Sequence, residues 1–380
     1  MRSKPIGVTG HPRLPRLPLS AAVATVEIDG HQHETGHVAI NFTPEGGLEG
    51  SFDSWQVHGT IPDRFSLTFT TKTGWAVAVV CETTRYTFGG LTFVCHPLVA
   101  RQGSMTAGED VHNYNFVSKL EFKPRWGTHA PGHGYSTFSP ADLQGMELHQ
   151  YPGFFHKGLT AYFSWDAPYD SSNELPGGRL DNLFNLLCLA EGAILDFPAV
   201  LIEGRRGKVL HLRPFDEETV GGDGPARGDP CRFIDKTYDK YCEWSPKLNL
   251  WVPIHHLALM NNTRYADHKY LMGSVVMESM KTGYATYKGY QYIKGAWWDG
   301  KTKKNFETIV TELYDEFKVD GADLDFITYR NEVVHRGYIG IPAAEMFARL
   351  TYLKVSIHQL FFNILGYDLL GYDLPTYRVV

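Results

Sequence analysis

Hydrophobic and polar residues alternate in short runs through the first 175 residues of the chain. The runs are rich in Val, Thr and aromatic residues, and turn residues such as Pro62-Asp63 and Thr73-Gly74 separate them. A two-residue period with regular turns is typical of antiparallel strands. The predicted strands are 23–29, 37–42, 55–61, 64–71, 75–81, 86–88, 91–94 and 115–122. This spacing predicts a sandwich or open barrel.

The pattern is more varied between residues 127 and 212. Residues 127–153 are rich in Gly, His and Pro, which indicates a loop. A helix is predicted over 180–193, followed by a hairpin over 199–212 that turns through Gly204-Arg205-Arg206-Gly207. We therefore expect one β-rich N-terminal domain with a late helix.

The period becomes helical in the second half of the chain. Apolar residues recur at helical spacing over 248–261, 265–282, 305–317, 323–335 and 343–365. The last segment has the clearest stripe, formed by Phe347, Leu350, Leu353, Ile357, Leu360 and Phe361. Five helices with mostly short connections predict a compact bundle, interrupted by a non-helical insert over 283–304. The predicted fold class is α+β: a β-rich domain followed by a C-terminal all-α helical bundle.

Composition sets the expected domain organisation and environment. The 380 residues fit a basic, proline-rich tail (1–20), a β-rich domain (21–215), a glycine-rich linker or surface loop (216–244) and a helical domain (245–380). Five cysteines without a C-x-x-C pair predict reduced thiols, with no metal and no cofactor. The apolar runs are shorter than the ~20 residues that span a bilayer, which predicts a cytoplasmic protein without a membrane partner. The net charge of −6 means that nucleic acid would need a local basic patch.

Candidate chemistry lies in the penultimate predicted helix. His335 follows Arg330 by five positions, Asn331 lies between them, and Gly337 marks the expected end of the helix. A five-residue step places Arg330 and His335 roughly 140° apart around the axis. One helix alone would aim them poorly at a common atom, whereas two copies related by a twofold axis could converge both pairs on one cleft.

These residue types suit the cleavage of RNA. Histidine moves protons near neutral pH, and arginine stabilises charge on phosphate oxygens. Asn331 could hold a phosphate oxygen or orient His335. The spacing by itself also fits a structural role, in which Arg330 pairs with an acid of the helix and His335 is a cation favoured at a helix C-terminus.

The run Arg-Asn-x-x-x-His-x-Gly, in such a helix after a strand-rich domain, resembles the motif of the HEPN superfamily and of its ApeA-like branch. The resemblance covers residues 245–365 and is only architectural before them. It implies that Arg330, Asn331 and His335 are the catalytic residues of a metal-independent endoribonuclease. It also implies a homodimer through the HEPN domain, a role as a toxin or antiviral defence effector, and an acid, Glu278, near the cleft.

The insert over 283–304 combines lysines with tyrosines and tryptophans. Lysines bind phosphates, and aromatic faces stack on unpaired bases. The predicted RNA-binding residues are Lys288, Lys294, Lys301, Lys303, Lys304 and, beyond the insert, Arg336. The alternative is a hairpin that packs its aromatic residues on the bundle and leaves the lysines solvated.

The leading hypothesis is thus an endoribonuclease that attacks RNA through its own 2′-hydroxyl. The RNA could be single-stranded or structured, with tRNA among the candidates, and an unknown trigger could act on the N-terminal domain. One alternative is a non-catalytic RNA-binding or dimerisation protein of HEPN type. Another is a ligand-binding β domain that carries a helical oligomerisation module.

Overall fold

The structure is a computed structural model that describes residues 17–43, 46–53, 55, 61–87, 90–105, 110–118, 126–130, 133–150, 161–168, 179–195, 197–214, 224, 229–319, 324–336 and 338–367. Two compact units divide the chain, one built from strands and one from helices with a small sheet. The β-rich region precedes most of the helices, which confirms the coarse α+β layout. None of the described helices combines the length and apolar character needed to cross a bilayer.

The strand unit contains one network of antiparallel strands. In the described residues these are β1 Leu19–Ala21, β2 Ala24–Ile28, β3 His31–Thr35, β4 Val38–Phe42, β5 Leu48–Phe52, β6 Arg64–Thr70, β7 Ala76–Thr87, β8 Gly90–Cys95, β9 Leu98–Gly103, β10 Asp110–Ser118, β11 Trp126–Ala130, β12 His133–Thr137, β13 Glu147–Gln150, β14 Ala161–Pro168, β15 Ala199–Gly204 and β16 Gly207–Leu212. Their order is β1-β4-β5-β8-β7-β9-β16-β15-β10-β14-β13-β12-β11, and β6, β2 and β3 branch from β7.

Strand β7 is the branch point of the network because it is long enough to pair with several neighbouring strands. Its residues 76–78 pair with β9, whereas its residues 81–87 pair with β8. Burial alternates along the strands, so that Phe65, Leu67 and Phe69 of β6 point inward and the residues between them are exposed. Inward side chains of β2, β4, β5, β6, β7 and β8 share one hydrophobic core. The predicted sandwich or open barrel stays a prediction, because strand order and a shared core do not by themselves distinguish the two.

The hairpin over 199–212 is confirmed, with Ala199 paired to Leu212 across β15 and β16. The loop predicted over 127–153 is wrong, because β12 and β13 lie within it and most of β11 overlaps its start. Backbone pairing supplies what composition did not indicate: β13 joins β14, with Leu148 opposite Phe163. Of the strand predicted over 55–61, residues 56–60 lie outside the described residues, as do 119–122 of the strand predicted over 115–122.

The helical unit contains helices α1 Arg179–Glu191, α2 Pro230–Leu248, α3 Trp251–Asn262, α4 Ala266–Tyr287, α5 Phe306–Glu316, α6 Phe326–Arg336 and α7 Ala343–Leu365 within the described ranges. Helix α7 has the predicted bounds. The predictions for α1, α3, α5 and α6 agree to within three residues at each end. Helix α4 continues five residues beyond its predicted end, into the segment expected to be the insert.

Helix α2 corrects the predicted linker over 216–244. Asp229 caps it by accepting a hydrogen bond from the backbone nitrogen of Arg232 at 3.0 Å, and Pro230 occupies its first turn. Phe233, Tyr238 and Tyr241 are buried at helical spacing. The glycine-rich run before Asp229 and Pro246 inside the helix obscured this period in the sequence. Most of residues 216–228 lie outside the described residues.

Two predicted domain boundaries also shift. Helix α1 belongs to the helical unit, although it lies between β14 and β15 in the chain, so residues 21–215 are not one domain. Its buried leucines Leu183, Leu186 and Leu187 pack on helices α2 and α3. The predicted tail over 1–20 ends earlier than expected, because β1 begins at Leu19 and pairs with β4. Residues 1–16 lie outside the described residues.

The insert forms a small antiparallel sheet between α4 and α5. Its strands are β17 Gln291–Ile293, β18 Ala296–Asp299 and β19 Thr302–Lys304, in that order. Directly paired residues share a face, which puts Tyr292, Trp297 and Lys304 on one side. The turn between β17 and β18 holds Lys294 at a φ of 50° and Gly295 at a φ of 81°.

Candidate functional site

Helix α6, which carries the predicted motif, is fixed to α4 along one face. Phe326 and Val333 of that face are buried two turns apart. Tyr329 lies between them and meets Tyr270 of α4 edge-on, with ring centroids 5.8 Å apart. The apolar residues at helical spacing therefore hold α6 in place and determine which of its residues face outward.

Two of the three motif residues share an exposed face of α6, and a hydrogen bond links the third to one of them. Asn331 and His335 are both exposed and lie one turn apart, so they share a face. Arg330 is half-buried, and its Nη1 donates a hydrogen bond to Oδ1 of Asn331 at 3.3 Å. This bond links the guanidinium of Arg330 to Asn331, whose neighbour one turn further along the helix is His335.

The described partner of Arg330 is therefore an amide and not an acid of the helix. The ring of His335 forms no hydrogen bond or ion pair with any residue in the described part of the chain. His335 and Arg336 occupy the last turn of α6, where a cation is favoured by the helix dipole. The helix dipole thus still supports a structural role for His335, whereas Arg330 forms no ion pair with an acid among the described residues.

The segment after α6 is held by two carboxylates. Oδ1 of Asp267, on α4, accepts a hydrogen bond from the backbone nitrogen of Ile339 at 3.1 Å. Oε2 of Glu332 accepts one from the backbone nitrogen of Gly340 at 3.3 Å. These bonds fix the chain that leaves the motif. Gly337, the expected helix terminator, lies outside the described residues.

Helix α7 secures the other end of α6 through Arg349. Its Nη1 lies 2.8 Å from Oδ2 of Asp325, and its guanidinium carbon lies 5.7 Å from the ring centroid of Tyr329. Tyr329 is thus held between Tyr270 and Arg349. Sequence reasoning missed these supporting residues, although the spacing of Phe326, Tyr329 and Val333 indicated which face of α6 is inward.

Glu278 is not grouped with the motif by its described contacts. Its carboxylate pairs with Lys281 on the same helix and lines a cavity beside the insert. Tyr270 of α4 contacts α6, and Asp267 of α4 contacts the segment after it. Glu278 is eight residues from Tyr270, or about 12 Å along a helix axis. A place for Glu278 near the cleft, which the resemblance implies, therefore stays a prediction without a described contact to support it.

Two of the predicted RNA-binding lysines are engaged by acids of α5. Lys288 Nζ lies 2.9 Å from Oε2 of Glu316, and Lys304 Nζ lies 2.6 Å from Oε1 of Glu312. These hydrogen bonds raise the pKa of both lysines. Burial acts to raise the pKa of the two glutamates, but the bonds outweigh it and leave both pKa values lowered. Lys288 and Lys304 thus serve first as structural ion pairs.

The remaining predicted contacts are accessible. Lys294, Lys301, Lys303 and Arg336 are exposed, and none forms an ion pair with a described residue. The packed-hairpin alternative for the insert holds only in part: Tyr290 packs toward the bundle and donates to Glu312 at 2.8 Å, whereas Tyr292 keeps 64% of its surface exposed. RNA binding by the insert stays a prediction.

Comparisons with family models, with curated proteins and with solved structures found no match to this chain.

Proposed function

We propose that the helical unit is a metal-independent endoribonuclease of HEPN type, active as a homodimer. One observation carries the proposal: Arg330 bonds Asn331, and Asn331 shares an exposed face of α6 with His335. An amide and an imidazole are thereby presented to solvent on one face, and the half-buried guanidinium is bonded to the amide. Buried Phe326 and Val333 hold the helix that presents them.

The chemistry follows from what each group does best. The 2′-oxygen of RNA attacks the neighbouring phosphorus, the bond to the 5′-oxygen breaks, and a cyclic phosphate remains. One imidazole accepts the proton of the 2′-hydroxyl, and a second donates a proton to the departing oxygen. Arg330 stabilises the charge that grows on the phosphate oxygens, and Asn331 positions the guanidinium.

A dimer supports this scheme because it supplies the second imidazole. Helix α7 presents a face of Ala344, Phe347, Ala348, Thr351, Tyr352 and Val355 that contains no charged residue. Phe347 and Tyr352 keep 60% and 61% of their surfaces exposed. Val334, beside the motif, is also exposed. Large exposed apolar side chains on one helix face are typical of a protein interface.

The decisive experiment compares the full chain with its His335→Ala variant on total RNA, with the cleavage ends mapped. We expect the variant to cleave RNA at least about 100-fold more slowly than the wild type, which is the effect of losing a general acid or base. His31→Ala, an exposed histidine of the strand unit, is the matched control and should cut at the normal rate. The products of the active protein should end in cyclic phosphates.

Equal cleavage by the wild type and His335→Ala would rule out the catalytic assignment. Binding of RNA without cleavage by either form would favour the non-catalytic alternative. Loss of cleavage on addition of a chelator would contradict metal independence and favour chemistry elsewhere. As cellular roles we propose a toxin or defence effector in the cytoplasm, with the strand unit as the region that responds to a trigger.

A further inference from the structure

Two buried cysteines of the strand unit face each other across neighbouring strands. Cys81 of β7 and Cys95 of β8 are directly opposite in the antiparallel register, and both are free thiols. Neither residue belongs to the motif of α6 or to the insert. We propose that Cys81 and Cys95 form a reversible disulfide when the protein is exposed to hydrogen peroxide.

The hydrogen bonds of the sheet place the two thiols at the more closely spaced kind of strand pair. The backbone nitrogen of His96 donates to the carbonyl of Val80 at 3.0 Å, so Val80 and His96 form a hydrogen-bonded pair. Pairs alternate along antiparallel strands, and Cys81 with Cys95 is therefore a non-hydrogen-bonded pair, whose Cα atoms lie ~4.5 Å apart. A disulfide needs a Cα separation of roughly 4.4–6.8 Å. The two strands thus already have the spacing that the bond requires.

The surroundings of the pair favour a disulfide over two thiols. Cys81 and Cys95 are 0% and 4% exposed and belong to the hydrophobic core of the strand unit. Phe65 of β6 lies opposite Cys81 and continues the same row. The hydrogen bond that the two thiols share uses one S–H donor of two. A disulfide has no donor to satisfy, which suits an apolar core.

Cys95 is the residue at which the oxidation begins. It is the last residue of β8 and keeps a small part of its surface exposed. Strand ends open more readily than the centres of strands, and hydrogen peroxide is small enough to enter through such an opening. The hydrogen bond with Cys95, together with burial, raises the pKa of Cys81, so the Cys81 thiol stays protonated and reacts second.

The oxidation proceeds in two displacements at sulfur. The thiolate of Cys95 attacks one oxygen of the peroxide, the O–O bond breaks, and the departing hydroxide takes up the thiol proton, which leaves water and a sulfenic acid. The sulfur of Cys81 then attacks the sulfur of Cys95, the S–O bond breaks, and a second water leaves with the proton of Cys81. Two thiols are oxidised and one peroxide is reduced to two waters. A small dithiol reverses the reaction by exchange.

The disulfide would fix the place where β7 changes partners. Residues 76–78 of β7 pair with β9, and its pairing with β8 begins at Cys81. A bond between Cys81 and Cys95 closes the loop 81–95, which restricts the unfolded chain and stabilises the folded sheet. We expect the oxidised protein to melt on the order of 5 °C above the reduced protein.

The experiment treats the full chain with hydrogen peroxide, blocks the remaining thiols and maps the peptides by mass spectrometry without reductant. We expect a linked pair of peptides that contain Cys81 and Cys95, lighter than the two separate peptides by two hydrogen atoms. Dithiothreitol should separate them again. Oxidation of Cys242 on α2 reports that the peroxide has acted, because Cys242 is half-buried and the other four cysteines are buried.

Two variants and a matched control locate the bond. Cys81→Ala and Cys95→Ala should each abolish the linked peptides and the rise in melting temperature. Cys231→Ala changes a buried cysteine of α2 and should leave both unchanged. Thermal unfolding under reducing conditions checks that each variant keeps its fold.

Oxidation of Cys242 without any linkage of Cys81 to Cys95 would overturn the proposal. A linkage that dithiothreitol does not reverse would also overturn it. None of these measurements involves RNA, so the outcome is independent of whether the chain cleaves RNA.

Discussion

His255 and His256, adjacent on α3, make the stability of the helical unit depend on pH. Burial lowers the pKa of His255, and burial together with the neighbouring His255 lowers the pKa of His256. His256 Nδ1 also lies 3.0 Å from the hydroxyl of Ser279, which donates its own proton to the carbonyl of Val275. In the folded state both rings are thus favoured in the neutral form.

The sign of the effect follows from proton uptake. Below the unfolded value of about 6.5 the unfolded chain binds more protons than the folded chain. Stability contributed by the neutral rings is therefore complete above that value and is lost as the pH falls toward the lowered folded values. We expect the melting temperature to fall from pH 7.5 to pH 5.5. In the His255→Gln/His256→Gln variant the fall should be smaller, and an equal fall in both proteins would contradict the prediction.

A single hydrogen bond of Arg330 likewise decides between a structural and a functional interpretation of this residue. Spacing alone leaves it far from His335 around the helix, and an acid partner would have indicated a structural ion pair. Its contact with Asn331 instead joins it to the exposed face. The sequence shows the type and order of the three motif residues. The hydrogen bond between Arg330 and Asn331 depends on side-chain conformations, which the packing of α6 fixes.

At the scale of elements, α4 organises the helical unit because two of its glycines let other helices approach closely. A Cβ at Gly283 would overlap the backbone carbonyl of Leu248, the last residue of α2. A Cβ at Gly273 would lie 2.8 Å from Cδ2 of Leu353, the flexible end of a side chain on α7. A carbonyl of the main chain cannot move aside as a leucine methyl can.

This difference predicts an order of stability for a matched pair of variants. Gly283→Ala should lower the free energy of unfolding by about 1–3 kcal/mol, the usual cost of overpacking. Gly273→Ala should change it little, because the helix gains about 0.5–1 kcal/mol from the loss of a glycine and Leu353 can adjust. Urea unfolding of both variants measures the order, and an equal or reversed order would show that α2 and α4 do not meet in this way.

At the scale of the whole molecule, the apolar face of α7 should control the oligomeric state and, with it, cleavage. Phe347→Asp/Tyr352→Asp places charges in the middle of that face, where burial against a partner would be costly. We expect this variant to be a monomer by light scattering and to lose RNA cleavage, since each cleft would lack the second imidazole. The loss of the dimer and the loss of RNA cleavage should occur together in this variant.

The matched control adds a charge to another exposed helix position. Thr286→Asp lies near the end of α4, beside Tyr284, which bonds Glu316 of α5. Asn363 of α7 donates to the carbonyl of Phe317 in the same region, so Thr286 lies toward the opposite end of α7 from Phe347. This control should remain a dimer and keep its activity. A fully active monomer of the Phe347→Asp/Tyr352→Asp variant would contradict the shared cleft.

The sequence by itself determined the elements whose patterns are local. The β15–β16 hairpin and α7 have the expected bounds because turn residues and helical spacing are encoded within a few turns of chain. Phe347 shows the limit, since it belongs to the apolar stripe yet is mostly exposed. Only tertiary structure decided that α1 belongs with the other helices, that Glu278 pairs with Lys281, and that Lys304 is neutralised by Glu312. These outcomes depend on which side chains from separate elements meet, and packing, not the local period, selects those partners.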